Sequence, residues 1–352
     1  MIVVMTVRIA GFPEITRENY QAEGLSFGAF LGGLWAVACG ALEVPYSQTL
    51  RSTRMVRSLL PAWSEEPIGL APAQRSYVAD DGFPAELSVN WSGRHPELRM
   101  LFDSLGHRVF PDDPADVLAT LFTPSAGRSS PAPVWHAIAW RPPARVVHKT
   151  YFGLYEWPEA ERLAAVGEAM ARLDLTAAWD DARTRVEAAG GEREVEFFAV
   201  DLLDGRDARV KIYYRNHDAD LAEVGRVAAV ARNHNAAAAN AAYRALTGER
   251  AGAGRAALTC LAFRSGVASA VESTTYLRLS ALTATDQEAV DRTSALLSRE
   301  GVDPSRFRAL SAAVAPRSLA HSTGVLELVS FRAAGRPGDV TTYFRFPVFD
   351  LS

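Results

Sequence analysis

Segment 208–215 reads ARVKIYYR, and its alternating residue types could bind an anion. Successive side chains of a β-strand point to opposite faces, so every second residue shares a face. One face of this segment is basic and phenolic, with Arg209, Lys211, Tyr213 and Arg215. The other face is apolar. Arginine and lysine bind phosphate oxygens, and the ring face of a tyrosine attracts cations, so the polar face combines two kinds of binding group.

The same design recurs in three further segments, which read HKTYFGLY at 148–155, TTYLRLS at 274–280 and TTYFRFP at 341–347. In each of them a tyrosine shares its face with a basic residue: Lys149 with Tyr151, Tyr276 with Arg278, and Tyr343 with Arg345. From Tyr151 to Tyr213, Tyr276 and Tyr343 the steps are 62, 63 and 67 residues. Such regular spacing predicts a repeat architecture.

Each of these strands follows another apolar or alternating run, and turn-rich segments such as DGRD at 204–207 separate the two. This arrangement predicts β-hairpins. A fifth pair, AELSVNW and ELRMLFD, precedes the others across the segment SGRHP. The five predicted hairpins span about 84–103, 133–155, 194–215, 257–280 and 324–347.

Alanine-rich segments with helical periodicity lie between the hairpins, at 159–173, 218–246 and 285–300. We therefore expect an α+β fold in which helices surround a closed barrel of ten antiparallel strands in five repeats. A barrel of this size has a lumen that side chains alone do not fill. With the apolar faces packed outward on helices, the basic and phenolic faces would line a polar chamber. We expect one domain over 1–352, with a helical part at about 1–80.

Composition narrows the class of protein. The chain has 352 residues, a net charge of -4 and 48% hydrophobic residues, which is typical of a globular protein without affinity for nucleic acid. The apolar run at 27–42 is too short for a membrane span, and residues 1–8 lack the features of a secretory signal. The two cysteines, Cys39 and Cys260, form no metal-binding spacing and fit a reducing cytoplasm.

The site residues resemble those of a known family, the dimethylallyltryptophan synthases, which are indole prenyltransferases with an αββα barrel. The resemblance covers about residues 80–349, and RVKIY is its most specific part. It rests on Glu86 in FPAELSVNW, Arg99 in PELRMLFD, Lys149 and Tyr151 in HKTYF, and Arg209, Lys211 and Tyr213 in RVKIYYR. The chain is closer in length to the short bacterial members. It departs from the family where Phe346 and Phe349 stand near the place of a further tyrosine.

The resemblance implies that the substrates are dimethylallyl diphosphate and tryptophan or a tryptophan-derived compound, and that neither Mg²⁺ nor another cofactor is required. The cations would bind the diphosphate: Arg99, Lys149, Arg209 and Lys211, followed by Arg278 and Arg345. The phenols Tyr151, Tyr213, Tyr276 and Tyr343 would shield the allylic cation. Glu86 would accept the indole N–H, and either Lys149 or Glu86 would take the proton that the ring loses.

A rival motif lies at 110–118, where FPDDPADVL contains Asp112, Asp113 and Asp116. This Asp-Asp-x-x-Asp spacing is the pattern by which another class of prenyl-diphosphate enzyme holds Mg²⁺. However, an aspartate followed by Pro114 and then apolar residues is also a helix start, which we favour. The seven histidines show no zinc-binding spacing, and there is no glycine-rich phosphate loop between a strand and a helix.

Two alternatives remain open on the sequence alone. The same barrel could prenylate a phenol, a naphthalene or a tyrosine ring, because only Glu86 favours an indole. It could also be a non-catalytic barrel that sequesters an anionic or aromatic ligand. In every case we expect a monomer or a homodimer that binds small molecules.

Overall fold

The computed structural model describes residues 25–69, 74–93, 95–107, 109, 120–122, 132–144, 146–202, 208–248, 257–334, 339–346 and 348–349. Ten antiparallel strands form a closed barrel in which each strand pairs with the next along the chain and the last pairs with the first. The strands are β1 (Ala85–Asn90), β2 (Glu97–Asp103), β3 (Val134–Trp140), β4 (Val147–Gly153), β5 (Glu192–Leu202), β6 (Arg209–His217), β7 (Ala257–Phe263), β8 (Glu272–Arg278), β9 (Leu326–Arg332) and β10 (Asp339–Phe344). The predicted barrel is confirmed.

Eight α-helices within the described residues surround the barrel. They are α1 (Phe27–Ala41), α2 (Tyr46–Leu59), α3 (Glu159–Arg172), α4 (Thr176–Ala188), α5 (Leu221–Ala228), α6 (Ala236–Thr247), α7 (Asp286–Arg299) and α8 (Ser305–Val314). Capping side chains start several of them: the Thr285 hydroxyl accepts the backbone N–H of Glu288 at α7, for example.

The helical pattern at 218–246 forms two helices rather than one. The first, α5, ends at Ala228, and Asn235 begins the second, α6, because its side chain accepts the backbone N–H of Ala238. Between them the chain pairs with the β7–β8 turn, where Arg232 N–H donates to the carbonyl of Ala270. The Asn235 side chain bonds to the backbone as a helix cap, and this favours a new helix start over continuation of the first helix. The alanine-rich periodicity of the segment gives no sign of this break.

Apolar strand faces pack outward against the helices, as the alternation predicts. Val210, Ile212 and Tyr214 of β6 are buried in the apolar core outside the barrel, which also contains buried side chains of α3 and α4. Helix α1 is buried on nearly all sides and packs in the core beside β1 and β2. No helix in the described part of the chain is long and apolar enough to cross a membrane.

All five hairpins share one register, which makes their inward-facing residues equivalent. In each hairpin, the central inward-facing residue of the first strand pairs directly with an inward-facing residue of the second strand. These pairs are Ser88 with Arg99, Ala137 with Lys149, Ala199 with Lys211, Cys260 with Thr274, and Ser330 with Thr341. The barrel therefore has pseudo-fivefold symmetry, and its lumen is built in levels. We call the end with the hairpin turns the upper end and the opposite end the lower end.

Candidate functional site

One cavity runs through the barrel and is lined by side chains from all ten strands. Moving from the upper to the lower end, each second strand contributes one residue to a cation level and then one to an aromatic level. The cation level contains Arg99, Lys149, Lys211, Thr274 and Thr341. The aromatic level contains Leu101, Tyr151, Tyr213, Tyr276 and Tyr343.

Asp201 organises the basic side chains at the upper end. This fully buried carboxylate accepts a hydrogen bond from the Lys211 ammonium at 2.6 Å and two from the Arg209 guanidinium at 2.6 and 2.9 Å. Burial alone would raise the pKa of Asp201, but the positive charges of Lys211, Lys149 and Arg209 hold it well below its usual range. Asp201 therefore stays ionised and fixes two cations in the lumen.

Lys149 differs from its neighbours because its ammonium makes no ion pair with any residue in the described ranges. Its side chain is buried and lines the cavity. Desolvation lowers the pKa of Lys149 well below its ordinary value, and the nearby charges of Arg99 and Lys211 lower it further. A buried amine with neighbouring cations is a strong attractor for an anion and can also take up a proton.

Further carboxylates hold the remaining upper cations in place. Glu97 accepts a hydrogen bond from Arg99 at 2.6 Å, and the charges of Arg99 and Lys149 lower the pKa of Glu97 to about 2 despite its burial. Glu272 forms ion pairs with three arginines, Arg209, Arg264 and Arg332. Among the described residues around this end, the cations outnumber the carboxylates: Arg99, Arg141, Lys149, Arg209, Lys211, Arg264 and Arg332 against Glu97, Asp201, Glu272 and Asp339. The excess positive charge is suited to a polyanion.

Four tyrosines form a chain of ring contacts directly below the cations, which we call the tyrosine ring: Tyr151, Tyr213, Tyr276 and Tyr343. Consecutive ring centroids are 6.2, 5.8 and 5.7 Å apart. Burial raises the pKa of every one of these phenols, so they remain neutral. The tyrosine ring therefore presents neutral aromatic surface, which attracts a cation without becoming a nucleophilic phenolate.

Small side chains at the middle position of every first strand keep the lumen open. They are Ser88, Ala137, Ala199, Cys260 and Ser330, and burial raises the pKa of the Cys260 thiol to about 11, which keeps it uncharged. Cys260 thus lies on the lumen wall beside Tyr213 rather than in the outer core. The resulting space adjoins both the cations and the tyrosine ring.

Glu86 lies in the lower half of the cavity, paired across β1 and β2 with Leu101. Desolvation, together with the negative charge of Glu327, raises the pKa of Glu86 to about 8, although the positive charge of Arg278 opposes the shift. A carboxyl group with such a pKa changes its charge near neutral pH. It can accept a hydrogen bond from a ring N–H and stabilise positive charge on the ring once ionised.

Two β-bulges add carboxylates at the lower end that the alternating pattern does not predict. The register shifts between Val195 and Phe197 on β5, which turns Glu196 toward Arg215. A second shift lies in the pairing of β9 with β10, where Glu327 pairs with Arg278 at 3.1 Å. A bulge inserts one extra residue, and the period-2 rule therefore assigns these side chains to the wrong face.

The predicted diphosphate residues do not all lie together. Arg99, Lys149, Arg209 and Lys211 gather at the upper end. Arg278 lines the lower cavity, beyond Tyr276, and pairs with Asp80 and Glu327. Arg345 is not among the described residues that line the cavity, and its guanidinium contacts Asp81 at 3.3 Å. Each lies two residues beyond its tyrosine along the chain, so the tyrosine ring separates both from the upper cations.

Segment 74–83, which no sequence signal marked as functional, reaches the lower end of the cavity. Tyr77, Val78 and Asp80 contribute to its lining, and Tyr77 stacks on Tyr155 with ring centroids 5.6 Å apart. The segment is attached to the barrel through the Asp80–Arg278 pair and through the Ser76 hydroxyl, which donates to Asp103 at 2.8 Å. It limits the room available at that end.

Within the described ranges, no group of three His, Cys, Asp or Glu side chains is placed to hold a metal ion. The aspartates of the rival motif, Asp112, Asp113 and Asp116, lie outside the described residues.

No protein-family model matches the chain. Solved structures do match over nearly the whole length. The 6-dimethylallyltryptophan synthase from Micromonospora olivasterospora, in complex with DMASPP and Trp, is 27% identical, with a TM-score of 0.81 and coverage of 93% of this chain and 99% of that one. The prenyltransferase PriB, in a ternary complex with L-tryptophan and dimethylallyl thiolodiphosphate, is 25% identical, with a TM-score of 0.78 over 92% and 97%. The 5-dimethylallyltryptophan synthase from Streptomyces coelicolor shares the fold at 23% identity, with a TM-score of 0.81 over 94% and 100%.

The raised pKa of Glu86 predicts a pH-dependent contribution to stability. Between about pH 5 and pH 8 the folded protein keeps a proton on Glu86 that the unfolded chain has lost, so stability falls as the pH rises through this window. The Glu86→Gln variant lacks this group. We expect the free energy of unfolding of the wild type, relative to that of Glu86→Gln, to decrease from pH 5 to pH 9 in urea titrations. A pH-independent difference would contradict the burial of Glu86.

Proposed function

We propose that this chain is a member of the dimethylallyltryptophan synthase family of aromatic prenyltransferases and transfers a dimethylallyl group from dimethylallyl diphosphate to the indole ring of tryptophan. One observation carries the proposal: upper cations, a neutral tyrosine ring and Glu86 follow one another along a single cavity. Each level supplies what one stage of such a transfer requires.

The upper cations bind the diphosphate. A polyanion that leaves water must be met by several positive charges if its desolvation is to be offset. Arg99 offers a planar fork for phosphate oxygens, whereas Lys149 and Lys211 act as point charges. Because Lys149 has no ion pair in the described ranges, its side chain can turn to the diphosphate, whose negative charge favours the ammonium form that burial disfavours.

Ionisation breaks the bond between the allylic carbon and the diphosphate oxygen, and the electron pair leaves with the diphosphate. The cations stabilise the negative charge that develops there. The allylic cation remains beside the tyrosine ring, whose faces stabilise it by about 2 kcal/mol per contact when desolvated. Closure of the lumen against water protects the cation from hydrolysis.

Glu86 orients the acceptor by accepting the indole N–H. A carbon of the ring then attacks the allylic cation, a carbon–carbon bond forms, and the ring becomes positively charged until it loses a proton. Ionised Glu86 stabilises that charge. Lys149 or Glu86 accepts the proton, depending on the ring position that is alkylated.

Arg278 suits the acceptor better than the diphosphate. It lies at the lower end with Glu86, on the far side of the tyrosine ring from Lys149 and Lys211. An acceptor that is a free amino acid carries a carboxylate, and a guanidinium fork binds that group well. Asp80 and Glu327 would then meet its ammonium group. Arg345, which contacts Asp81, would position segment 74–83 rather than bind substrate.

Metal independence follows as part of the same proposal. In enzymes that hold diphosphate through Mg²⁺, carboxylates bind the metal and the metal binds the phosphate. Here the upper carboxylates are engaged by arginines and lysines, as Asp201 is by Arg209 and Lys211. The cations themselves therefore take the place of the metal.

We expect the purified protein to prenylate tryptophan with dimethylallyl diphosphate in excess EDTA at a rate within twofold of that with Mg²⁺. Arg99→Gln should lower kcat/KM by about 100-fold, because a charge-assisted contact to the leaving group is lost. Product formation measured by chromatography and mass spectrometry checks both results.

Arg308→Gln is the matched control, because Arg308 pairs with Asp291 on the protein surface, away from the cavity. Its rate should stay within twofold of wild type. A wild type that needs Mg²⁺, or an Arg99→Gln variant as active as Arg308→Gln, would contradict the proposed donor site. Alkylation of phenols but of no indole would mean that the enzyme uses the alternative acceptors, namely phenol, naphthalene or tyrosine rings.

The role of Arg278 gives a separate prediction. Arg278→Gln should raise KM for tryptophan about 10-fold or more, because a charged hydrogen bond to the carboxylate is lost. KM for 3-methylindole, which has no carboxylate, should change little. Steady-state kinetics with both acceptors checks this. Equal losses with the two acceptors would mean that Arg278 acts only through its pairs with Asp80 and Glu327.

A further inference from the structure

We infer that Leu101 is a specificity-determining residue, which leaves the fifth side of the tyrosine ring open and sets how the acceptor faces the allylic cation. The inference rests on the proposed function. It comes from the shared register of the hairpins, in which the residue two positions below each member of the cation level belongs to the aromatic level. In four hairpins that residue is a tyrosine, and in the β1–β2 hairpin it is Leu101.

The tyrosine ring is incomplete on this side. Ring contacts run from Tyr151 to Tyr213, Tyr276 and Tyr343, with centroid separations of 5.7 to 6.2 Å. The barrel order then places β1, β2 and β3 between Tyr343 and Tyr151. Leu101 is half-buried and lines the cavity in this interval, with Ala137 paired to it on β3. Another aromatic side chain of this wall, Trp135 on β3, packs toward Tyr155 and Phe197 rather than toward Tyr343.

The open side coincides with the group proposed to hold the acceptor. Glu86 is the direct pairing partner of Leu101 across β1 and β2. Directly opposed residues in an antiparallel pair have neighbouring side chains, with Cβ atoms about 5 Å apart. An indole whose N–H reaches Glu86 must therefore lie against Leu101. From there its ring faces the space that the four phenols enclose.

A tyrosine at this position would close the last side of the shield. It would occupy the space that the nucleophile needs, because the acceptor must reach the cation without a phenol between them. Leucine has no hydrogen-bonding group, so it directs the acceptor by shape alone. Its volume sets the tilt of the indole about the Glu86 contact and thus the ring atom nearest to the cation.

Leu258 provides a matched control, since it is also a half-buried leucine of the cavity wall. It lies on β7, where it pairs with Arg215 on β6 and Tyr276 on β8, on the opposite side of the barrel from β2. Leu258→Phe adds the same volume as Leu101→Phe to a side of the ring that is already closed by tyrosines.

The experiment compares Leu101→Phe, Leu101→Ala and Leu258→Phe with the wild type. We expect Leu101→Phe to lower kcat/KM for tryptophan at least 10-fold, while its Kd for dimethylallyl thiolodiphosphate, measured by calorimetry, stays within threefold. Unchanged donor affinity shows that the variant is folded. Leu101→Ala should change the ratio of products alkylated at different ring positions, as resolved by chromatography and NMR. Leu258→Phe should keep the wild-type product ratio and a rate within threefold.

The possible results distinguish the role of Leu101 from the proposed function of the enzyme. If the wild type alkylates tryptophan but Leu101→Phe and Leu258→Phe lose activity equally, the inference fails and the proposed function stands. The inference also fails, and the proposed function still stands, if Leu101→Ala is active with the wild-type product ratio and Leu101→Phe has the wild-type rate. A wild type that alkylates no aromatic acceptor overturns both.

Discussion

Burial of positive charge is the constraint on which the interior of this barrel depends. Several cations are withdrawn from water at one level of the lumen, and unpaired buried charges are strongly destabilising. The fold meets this cost by placing Asp201 between Arg209 and Lys211 and Glu97 beside Arg99. These carboxylates fix the directions of the cations without cancelling their total charge, and the remaining excess is the driving force for binding a polyanion.

The repeated hairpin keeps the buried cations at a different height in the lumen from the tyrosine ring and the acceptor site. Because all five hairpins share one register, residues of one type fall at one height in the lumen. Adjacent levels of a strand face are two residues, or about 6.6 Å, apart along the strand. That spacing allows a diphosphate at the cation level and its allylic carbon at the aromatic level. The lower end, with Glu86 and Arg278, is left for the acceptor.

Much of this organisation could be predicted from the sequence because alternation reports directly on which face a strand residue occupies. The motifs around Lys149, Lys211 and Tyr343 predict a polar lumen, and the spacing of the tyrosines predicts the repeat. Height along the barrel was harder to infer. The sequence pattern groups Arg278 and Arg345 with the other cations, whereas in the structure each lies beyond its tyrosine, toward the lower end.

Three other features lacked a sequence signal for physical reasons. Asp201 stands in an otherwise apolar run, so nothing showed that it would pair with cations across β5 and β6. Glu196 and Glu327 reach the lumen side through bulges, which break the period of two. Leu101 became visible as the fifth position of the aromatic level only when the register was known, because a leucine does not resemble the tyrosines to which it is equivalent.

A crystal structure with dimethylallyl thiolodiphosphate and tryptophan tests the central claim most directly. The account predicts that the diphosphate contacts Arg99, Lys149 and Lys211, that the allylic chain lies within the tyrosine ring, and that the indole N–H points to Glu86. A diphosphate bound instead between Arg215 and Arg278 at the lower end would contradict it.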